Sequence, residues 1–288
     1  MSSSVEKSLL LLQFLADYPD GVPLAQIADE MNLTRSGCHR LLGELIRFGF
    51  VRQTRMHGDY ALTTKLAALG LSYLSKSGVV DIAQPLLEQL AESTKELARL
   101  AIVDGERLTL VAKAQGSRSA LKYDPDMGTD LQLSCSAAGH AWLMTMPEDE
   151  ALEIVARQGF GKSPDFGPNA PKGASGLLKM LREHRKRGFS LVRDMFTPWM
   201  SAIAAPVRSR SGAVVGLVVV AGPSVRLSEQ KLLEMGPALL ATASELAQAT
   251  SASALFPKAT LSGEVATQPA SRQRAAGELR KKSHTLRG

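Results

Sequence analysis

Apolar and polar positions in the amino-terminal part of the chain follow a helical period. Val5 to Ala16 (VEKSLLLLQFLA) reads as an amphipathic helix, and Asp20-Gly21-Val22-Pro23 ends the connection after it. Leu24, Ile27, Ala28 and Met31 again recur at helical spacing, until Asn32-Leu33-Thr34 interrupts them as a turn. Thr34 offers a hydroxyl N-cap for a second helix, whose Cys38, Leu41, Leu42 and Leu45 make one apolar face. Two short helices joined by a tight turn over Leu24 to Phe48 predict a helix-turn-helix. Gly49 to Thr54 and Tyr60 to Thr63 read as short strands joined at Met56-His57-Gly58-Asp59. A hairpin directly after a recognition helix is the wing of a winged helix.

Beyond the wing, Thr63 or Thr64 caps a further helix (TTKLAALGLSYLSKS) that ends before Gly78. Its Leu66, Leu69, Leu71, Tyr73 and Leu74 are more apolar than a lone linker needs, so it is expected to pack against a partner chain as well. Asp81 to Thr94 is helical, with Pro85 near its start. Ala98–Val103 and Leu108–Ala114 are apolar runs around Asp104-Gly105-Glu106-Arg107, a hairpin signal. Thr129 to Leu133 reads as a short strand. Ala137–Met146 and Glu148–Arg157 read as helices divided by Pro147, and the Gly- and Pro-rich stretch 159–173 as a loop. Gly176–Lys186 is a basic helix. Phe189–Arg193, Ile203–Val207 and Val214–Ala221 are strands, and Ser228–Thr250 a closing helix. Tight turns between strand pairs predict a mostly antiparallel sheet flanked by helices, an α/β (α+β) sensor domain.

The chemistry of the amino-terminal pattern lies on the second helix's polar face. Arg35, Ser36, His39, Arg40, Gly43 and Arg47 supply donors and small residues. Such a face enters a major groove, with Arg bridging guanine or gripping phosphate and Ser contacting either. Thr34, Arg35, Ser36, His39, Arg40, Arg47 and, from the wing, Arg55 are the candidate DNA contacts. Between Thr34 and Gly58 there are five Arg against one acidic residue, Glu44, a positive field suited to phosphates. The net charge of +6 says less than this cluster does. From Ser253 onward seven Lys or Arg face two Glu, so the body of the chain is nearly neutral. That tail is poor in apolar residues, and disorder is the expectation.

With 44% hydrophobic and 22% charged residues the chain is expected to be globular. No apolar run approaches the ~20 residues of a membrane span, and the start lacks a signal peptide's pattern, so a cytoplasmic protein with no membrane partner is expected. Cys38 and Cys135 belong to no CxxC or disulfide framework, and the five His show no metal-ligand spacing. No GxSxG, HExxH, Walker loop or GxGxxG after a strand is present, and no cofactor is expected. Cys135 and His140 are five apart, a poor spacing for a nucleophile and its base on one helix face. The competing readings are an enzyme, or an interaction module with only non-specific DNA affinity.

The segment from Val5 to Val51, followed by YALTTKLAALG (Tyr60 to Gly70), resembles the amino-terminal half of the IclR family of bacterial transcriptional regulators. Pro85–Leu90, SCSAAGHAWLMTMP (Ser134–Pro147) and IAAPVRSRSGAVVGLVVVAGP (Ile203–Pro223) resemble successive parts of its effector domain. The likeness spans roughly residues 5 to 250. It implies a winged helix-turn-helix over 1–62, a linker helix over 63–78, a GAF-like effector and oligomerisation domain over 79–252, and a basic tail over 253–288. It also implies a homodimer or dimer of dimers on operator DNA, controlled by a small organic acid or an aromatic compound.

The resemblance places the effector among Ser134, Cys135, Ser136, Ala137 and Gly139, Arg193 and Asp194, Ser201, and Val219 and Ala221. Backbone N–H groups at the start of the Ala137 helix, with the Ser134 and Ser136 hydroxyls, are candidates to hold a carboxylate. Relatives usually carry Gly-Lys where this chain has Gly139-His140. They often carry an acidic pair and a Gly where it has Arg193-Asp194 and then Trp199. Val219 and Ala221 fill positions that can be polar. These departures favour an aromatic acid, with Trp199 as an apolar wall and Arg193 or the helix start at its carboxylate, and a catabolic operon as the target.

Overall fold

The computed structural model describes residues 3–54, 58–125, 131–160 and 166–249. Helix α1 (Ser4–Ala16) opens with a capping box: Ser3 accepts from the Glu6 amide and Glu6 from the Ser3 amide. Helices α2 (Leu24–Glu30) and α3 (Arg35–Arg47) follow, then the antiparallel strands β1 (Val51–Gln53) and β2 (Tyr60–Leu62), with Val51 opposite Leu62. The turn between α2 and α3 passes through Asn32 at φ +49, a left-handed conformation that Asn tolerates. Cys38, Leu41, Leu42 and Leu45, the apolar face expected of the second helix, are all buried. They pack with Leu11 and Leu15 of α1, Ile27 of α2, Val51 and Tyr60. Each such leucine contributes about 1.5–3 kcal/mol of burial. The tip of the wing, residues 55–57, lies outside the described residues.

Helix α4 (Lys65–Ser77) leaves the wing directly. Thr63 rather than Thr64 makes the side-chain bonds at its start, donating to the Gly49 carbonyl at 2.6 Å and accepting from the Lys65 amide at 3.2 Å. Gly78, at φ +68, ends α4 and begins α5 (Val79–Thr94), and the two axes meet at 82°. A left-handed residue is what lets two helices abut without a loop. Among the described residues no single helix is long and apolar enough to cross a membrane.

The remaining strands are β3 (Leu97–Asp104), β4 (Arg107–Gln115), β5 (Ser190–Arg193), β6 (Met200–Arg208) and β7 (Val214–Pro223), in the antiparallel order β4-β3-β7-β6-β5. Strand alternation divides their side chains between two layers. Leu100, Ile203, Val218 and Val220 pack on α5 and α9 (Glu229–Ala249). Ala101, Ala204, Leu217 and Val219 face α6 (Ala137–Leu143), α7 (Glu148–Gln158) and α8 (Ala174–Arg187). The antiparallel sheet with helices on both faces is therefore as expected.

One expected strand is not formed by those of its residues that are described. Leu131 to Leu133 forms no ladder, and Thr129 and Asp130 lie outside the described residues. Gln158 of α7 takes the ladder's place: its amide accepts from the Leu133 N–H at 2.8 Å and donates to the Leu131 carbonyl at 3.0 Å. A side chain thus satisfies the backbone groups that a sheet partner would otherwise satisfy.

Candidate DNA interface and ligand cleft

Helix α3 starts where the chain's first capping threonine puts it. The Thr34 hydroxyl accepts from the Gly37 amide at 3.1 Å, and a Cβ on Gly37 would stand 2.9 Å from that oxygen. Arg35, Ser36, His39 and Arg40 follow, all exposed, on the face opposite the buried leucines. Gly43 leaves the middle of that face bare, with nothing within 4 Å of a Cβ built there. The face combines cationic forks, a hydroxyl and an imidazole over a smooth surface, a combination that reads base edges and phosphates.

Two of the sequence candidates stand apart. Arg47 bonds Glu44 through Nη2 at 2.6 Å and Nε at 3.2 Å, and lies 4.3 Å over the Phe48 ring. It neutralises the face's only carboxylate rather than standing ready for phosphate. Arg55 lies outside the described residues, as does the basic tail over 253–288.

A cleft opens on the α6 side of the larger sheet, with about 540 Å³ of empty space, part of it open to solvent. Its floor is sheet: Arg99, Leu110, Val192, Ala202, Val219 and Ala221. Ser136, Ala137 and Ala138 of α6 form one wall, and Phe196, Thr197 and Met200 with Tyr123 and Leu131 form the rest. Among the described lining residues, which are largely apolar, Arg99 is the charged side chain, and it is only 6% exposed. Burial pulls its guanidinium pKa down, while Tyr123 and Asp124 push it back up. An arginine starts so far above neutrality that it keeps its charge. Asp124 itself is held below the usual carboxylate range, first by its 2.6 Å hydrogen bond from Lys113.

The cleft brings together some of the expected effector residues and leaves others outside its lining. Ser136, Ala137, Ser201, Val219 and Ala221 line it. Ser134, Cys135 and Gly139 are buried beneath the wall. A Cβ on Gly139 would run into the Leu133 carbonyl, so this glycine serves close packing. Arg193 follows Val192 on β5, and neighbours on a strand point to opposite faces. Val192 lines the cleft, so Arg193 points away from it, where its Nε is buried without a hydrogen-bond partner.

Asp194 is a loop anchor at φ +52, accepting from the Ser224 hydroxyl at 2.8 Å. Trp199 is 81% exposed at φ +65 and is no wall of the cleft. Its backbone turns the ring outward, and Phe196 and Met200 take the apolar role expected of it. The Ser136 hydroxyl accepts from the Gly139 amide at 3.1 Å as an N-cap, and α6 has only seven residues. Arg99, outside the expected set, is instead the cation that the described lining brings to the cleft. An arginine inside the apolar run Leu97 to Val103 was the available signal, because one face of that run must look into the domain.

No nucleophile–base pair forms between Cys135 and His140. Burial pushes the Cys135 thiol up to about 12, so it carries no thiolate at neutral pH. His140 turns its Nε2 to the Ser134 carbonyl at 2.7 Å and its Nδ1 to Nε2 of His184 at 3.2 Å.

Comparison with known proteins matches both halves of the chain to one family. The IclR helix-turn-helix domain matches residues 4–55, and the bacterial transcriptional regulator IclR C-terminal domain matches residues 71–248. The HTH-type transcriptional repressor AllR of Escherichia coli (strain K12) is 25% identical over 248 residues, covering 86% of this chain and 90% of that protein. An IclR family transcriptional regulator from Brucella abortus has a TM-score of 0.70 at 26% identity, covering 86% of this chain and 92% of the other. An IclR homolog from Microbacterium hydrocarbonoxydans, complexed with 4-hydroxybenzoate, shares the fold with a TM-score of 0.70 at 19% identity. It covers 87% of this chain and all (100%) of its own.

Proposed function

The chain belongs to the IclR family of bacterial transcriptional regulators, and from that premise we propose that an aromatic carboxylic acid held by Arg99 sets its affinity for operator DNA. The protein is a ligand-responsive DNA-binding transcriptional regulator and not an enzyme. Residues 1–62 bind DNA, 63–78 link, and 79–252 read the effector. Arg35, Ser36, His39 and Arg40 contact base edges and phosphates, with Thr34 positioning them and Arg55 of the wing adding a phosphate contact.

One observation carries the choice of ligand: a buried arginine in a cleft whose other walls include Phe196, Met200, Tyr123, Val219 and Ala221. A carboxylate meets the guanidinium as a charge-assisted pair, and a flat apolar ring fits the remaining walls. The 4-hydroxybenzoate bound by the Microbacterium protein of the same fold is a ligand of that chemistry. A catabolic operon for such acids is the natural target, with the regulator acting in the cytoplasm.

The functional unit is a homodimer or dimer of dimers. Leu66, Leu69, Leu71 and Tyr73 leave α4 with an unusually apolar exposed surface, 41–67% exposed, and Val5 and Leu9 of α1 do the same. Two recognition helices then meet a palindrome with half-sites ~10 bp, or a multiple, apart. Effector and operator are linked reciprocally: a ligand that shifts DNA affinity must itself bind the DNA-bound form differently. Calorimetric titration with benzoate and 4-hydroxybenzoate against glyoxylate and pyruvate tests the ligand class. Tight binding of the short acids alone would overturn it.

A further inference from the structure

His140 and His184 meet inside the effector-reading half, on the far side of the cleft's α6 wall. His140 is fully buried and His184 is 5% exposed. Their hydrogen bonds allow one arrangement of protons. The Ser134 carbonyl can only accept, so Nε2 of His140, 2.7 Å away, carries a hydrogen. Burial pushes His140 down to about 4 and, with help from His140 and Arg187, His184 down to about 3, so both rings are neutral at physiological pH. Nδ1 of His140 is therefore a bare acceptor, and Nε2 of His184, 3.2 Å from it, must donate. That leaves Nδ1 of His184 as an acceptor, facing Nη1 of Arg187 at 3.4 Å, a group that only donates. Every nitrogen in the chain Arg187–His184–His140–Ser134 has a partner of the right polarity. The opposite tautomer of either ring would set two hydrogens, or two lone pairs, against each other.

We propose that this pair is a positioning relay for the ligand cleft, fixing the turn before α6, and with it Ser136 and Ala137, from the last turn of α8. The inference rests on the effector reading above. The Ser134 carbonyl stands two residues before Ser136, the N-cap of α6 and part of the cleft wall. Ser190 anchors the next residue to the sheet, its hydroxyl donating to the Ala137 carbonyl at 2.7 Å. The outer end is also tied down: Arg187 lies 5.5 Å over the Phe189 ring, and Arg185 donates to the Met144 and Met146 carbonyls at the end of α6. Helix α8 thereby grips α6 at both ends. A shift of α8 is felt at the cleft wall, and ligand pressing on that wall is felt at α8.

The experiment has a spectroscopic and a kinetic arm, both on the full-length free protein. Long-range nitrogen–proton correlation of the imidazoles at pH 7 should show the Nε2–H tautomer for both rings; Nδ1–H on either overturns the relay. Amide exchange at Gly139, whose N–H closes the α6 cap, should speed up about 10-fold in His140→Leu relative to Leu239 of α9. His140→Gln places one donor and one acceptor in the same order and should restore slow exchange. Equal exchange in the three proteins would remove any positioning role. Benzoate affinity should fall about 10-fold in His140→Leu and recover in His140→Gln. Failure of the wild type to bind benzoate counts against the aromatic-acid reading alone, because the tautomers and the exchange rates judge the relay without ligand.

Discussion

Lys65, the first residue of the linker helix, donates through Nζ to the carbonyl of Phe48, the C-cap residue of the recognition helix, at 2.6 Å. The same ammonium lies 5.1 Å over the Phe50 ring. A cation at a helix C-terminus also meets the negative end of the macrodipole, worth roughly 0.3–1 kcal/mol when exposed. This contact ties α4 directly to the helix that reads DNA. Lys65→Met should cost no more than about 1 kcal/mol of stability in denaturant titration. It should nevertheless shrink the effector's influence on operator affinity by about 5-fold or more, measured by anisotropy with and without ligand. An unchanged response would place the coupling elsewhere.

Arg40 and Arg47 share a helix but not an environment. Arg40 has an open exposed face, whereas Arg47 is held by Glu44 at 2.6 Å. Arg40→Ala should cost about 1–3 kcal/mol of operator affinity and relax preference at one base pair. Arg47→Ala should cost less, under about 1 kcal/mol, since no ready phosphate contact is lost and the exposed Glu44 carboxylate it frees adds only a small, screened repulsion. Reversed rankings would mean that Arg47 changes partners on DNA.

Arg99 and Trp199 separate two accounts of effector recognition. Arg99→Met should weaken benzoate binding by about 10- to 100-fold, as loss of a buried charge-assisted bond does. Trp199→Ala should leave the affinity within about 2-fold, because the ring is 81% exposed outside the cleft. Calorimetry on both variants decides, and a large loss at Trp199 alone would return the ligand to the loop.

The exposed face of α4 predicts an oligomer that a charge can split. Leu69 and Tyr73 lie four residues apart on one helical stripe, 53% and 63% exposed. Leu69→Glu with Tyr73→Glu should move the light-scattering mass toward that of one chain and weaken operator binding. An unchanged mass would show that α4 faces solvent in the assembly.

The histidine pair gives stability a pH dependence of known sign. Both folded pKa values lie below the ordinary 6.5, at about 4 for His140 and about 3 for His184. Between pH 6.5 and about 4 the unfolded chain binds protons that the folded one refuses. Unfolding free energy should therefore be flat above 6.5 and fall as pH drops toward 4, by up to about 1.4 kcal/mol per unit for each histidine. Chemical denaturation at several pH values checks this, and His184→Gln should flatten the slope. A wild-type slope of zero over that range would mean that the rings are not held neutral.

Much of the architecture was legible in the sequence because it rests on periodicity and caps. Thr34, the four buried positions of α3, the Gly78 break and the hairpin at Gly105 are local signals, and each appears where expected. The cleft was legible only in part, because its lining depends on which face of a strand looks inward. Val192 and Arg193 are adjacent, and one line of sequence could not say which of them lines the cleft. Trp199 departs from expectation too: a large apolar residue normally packs, but this one sits at φ +65 and is 81% exposed. Arg99 needed the pairing of β3 with β7, a contact between residues more than a hundred positions apart, to place it beside Val219.

Anisotropy titration against DNA from upstream of the protein's own gene, beside a scrambled duplex, tests the central claim most directly. It should be run at two salt concentrations, with and without 4-hydroxybenzoate, for the wild type and Arg40→Ala. The account predicts tight binding that prefers the native sequence, collapses in Arg40→Ala and shifts with the acid. Equal, salt-sensitive binding to both duplexes, indifferent to the acid, would contradict it.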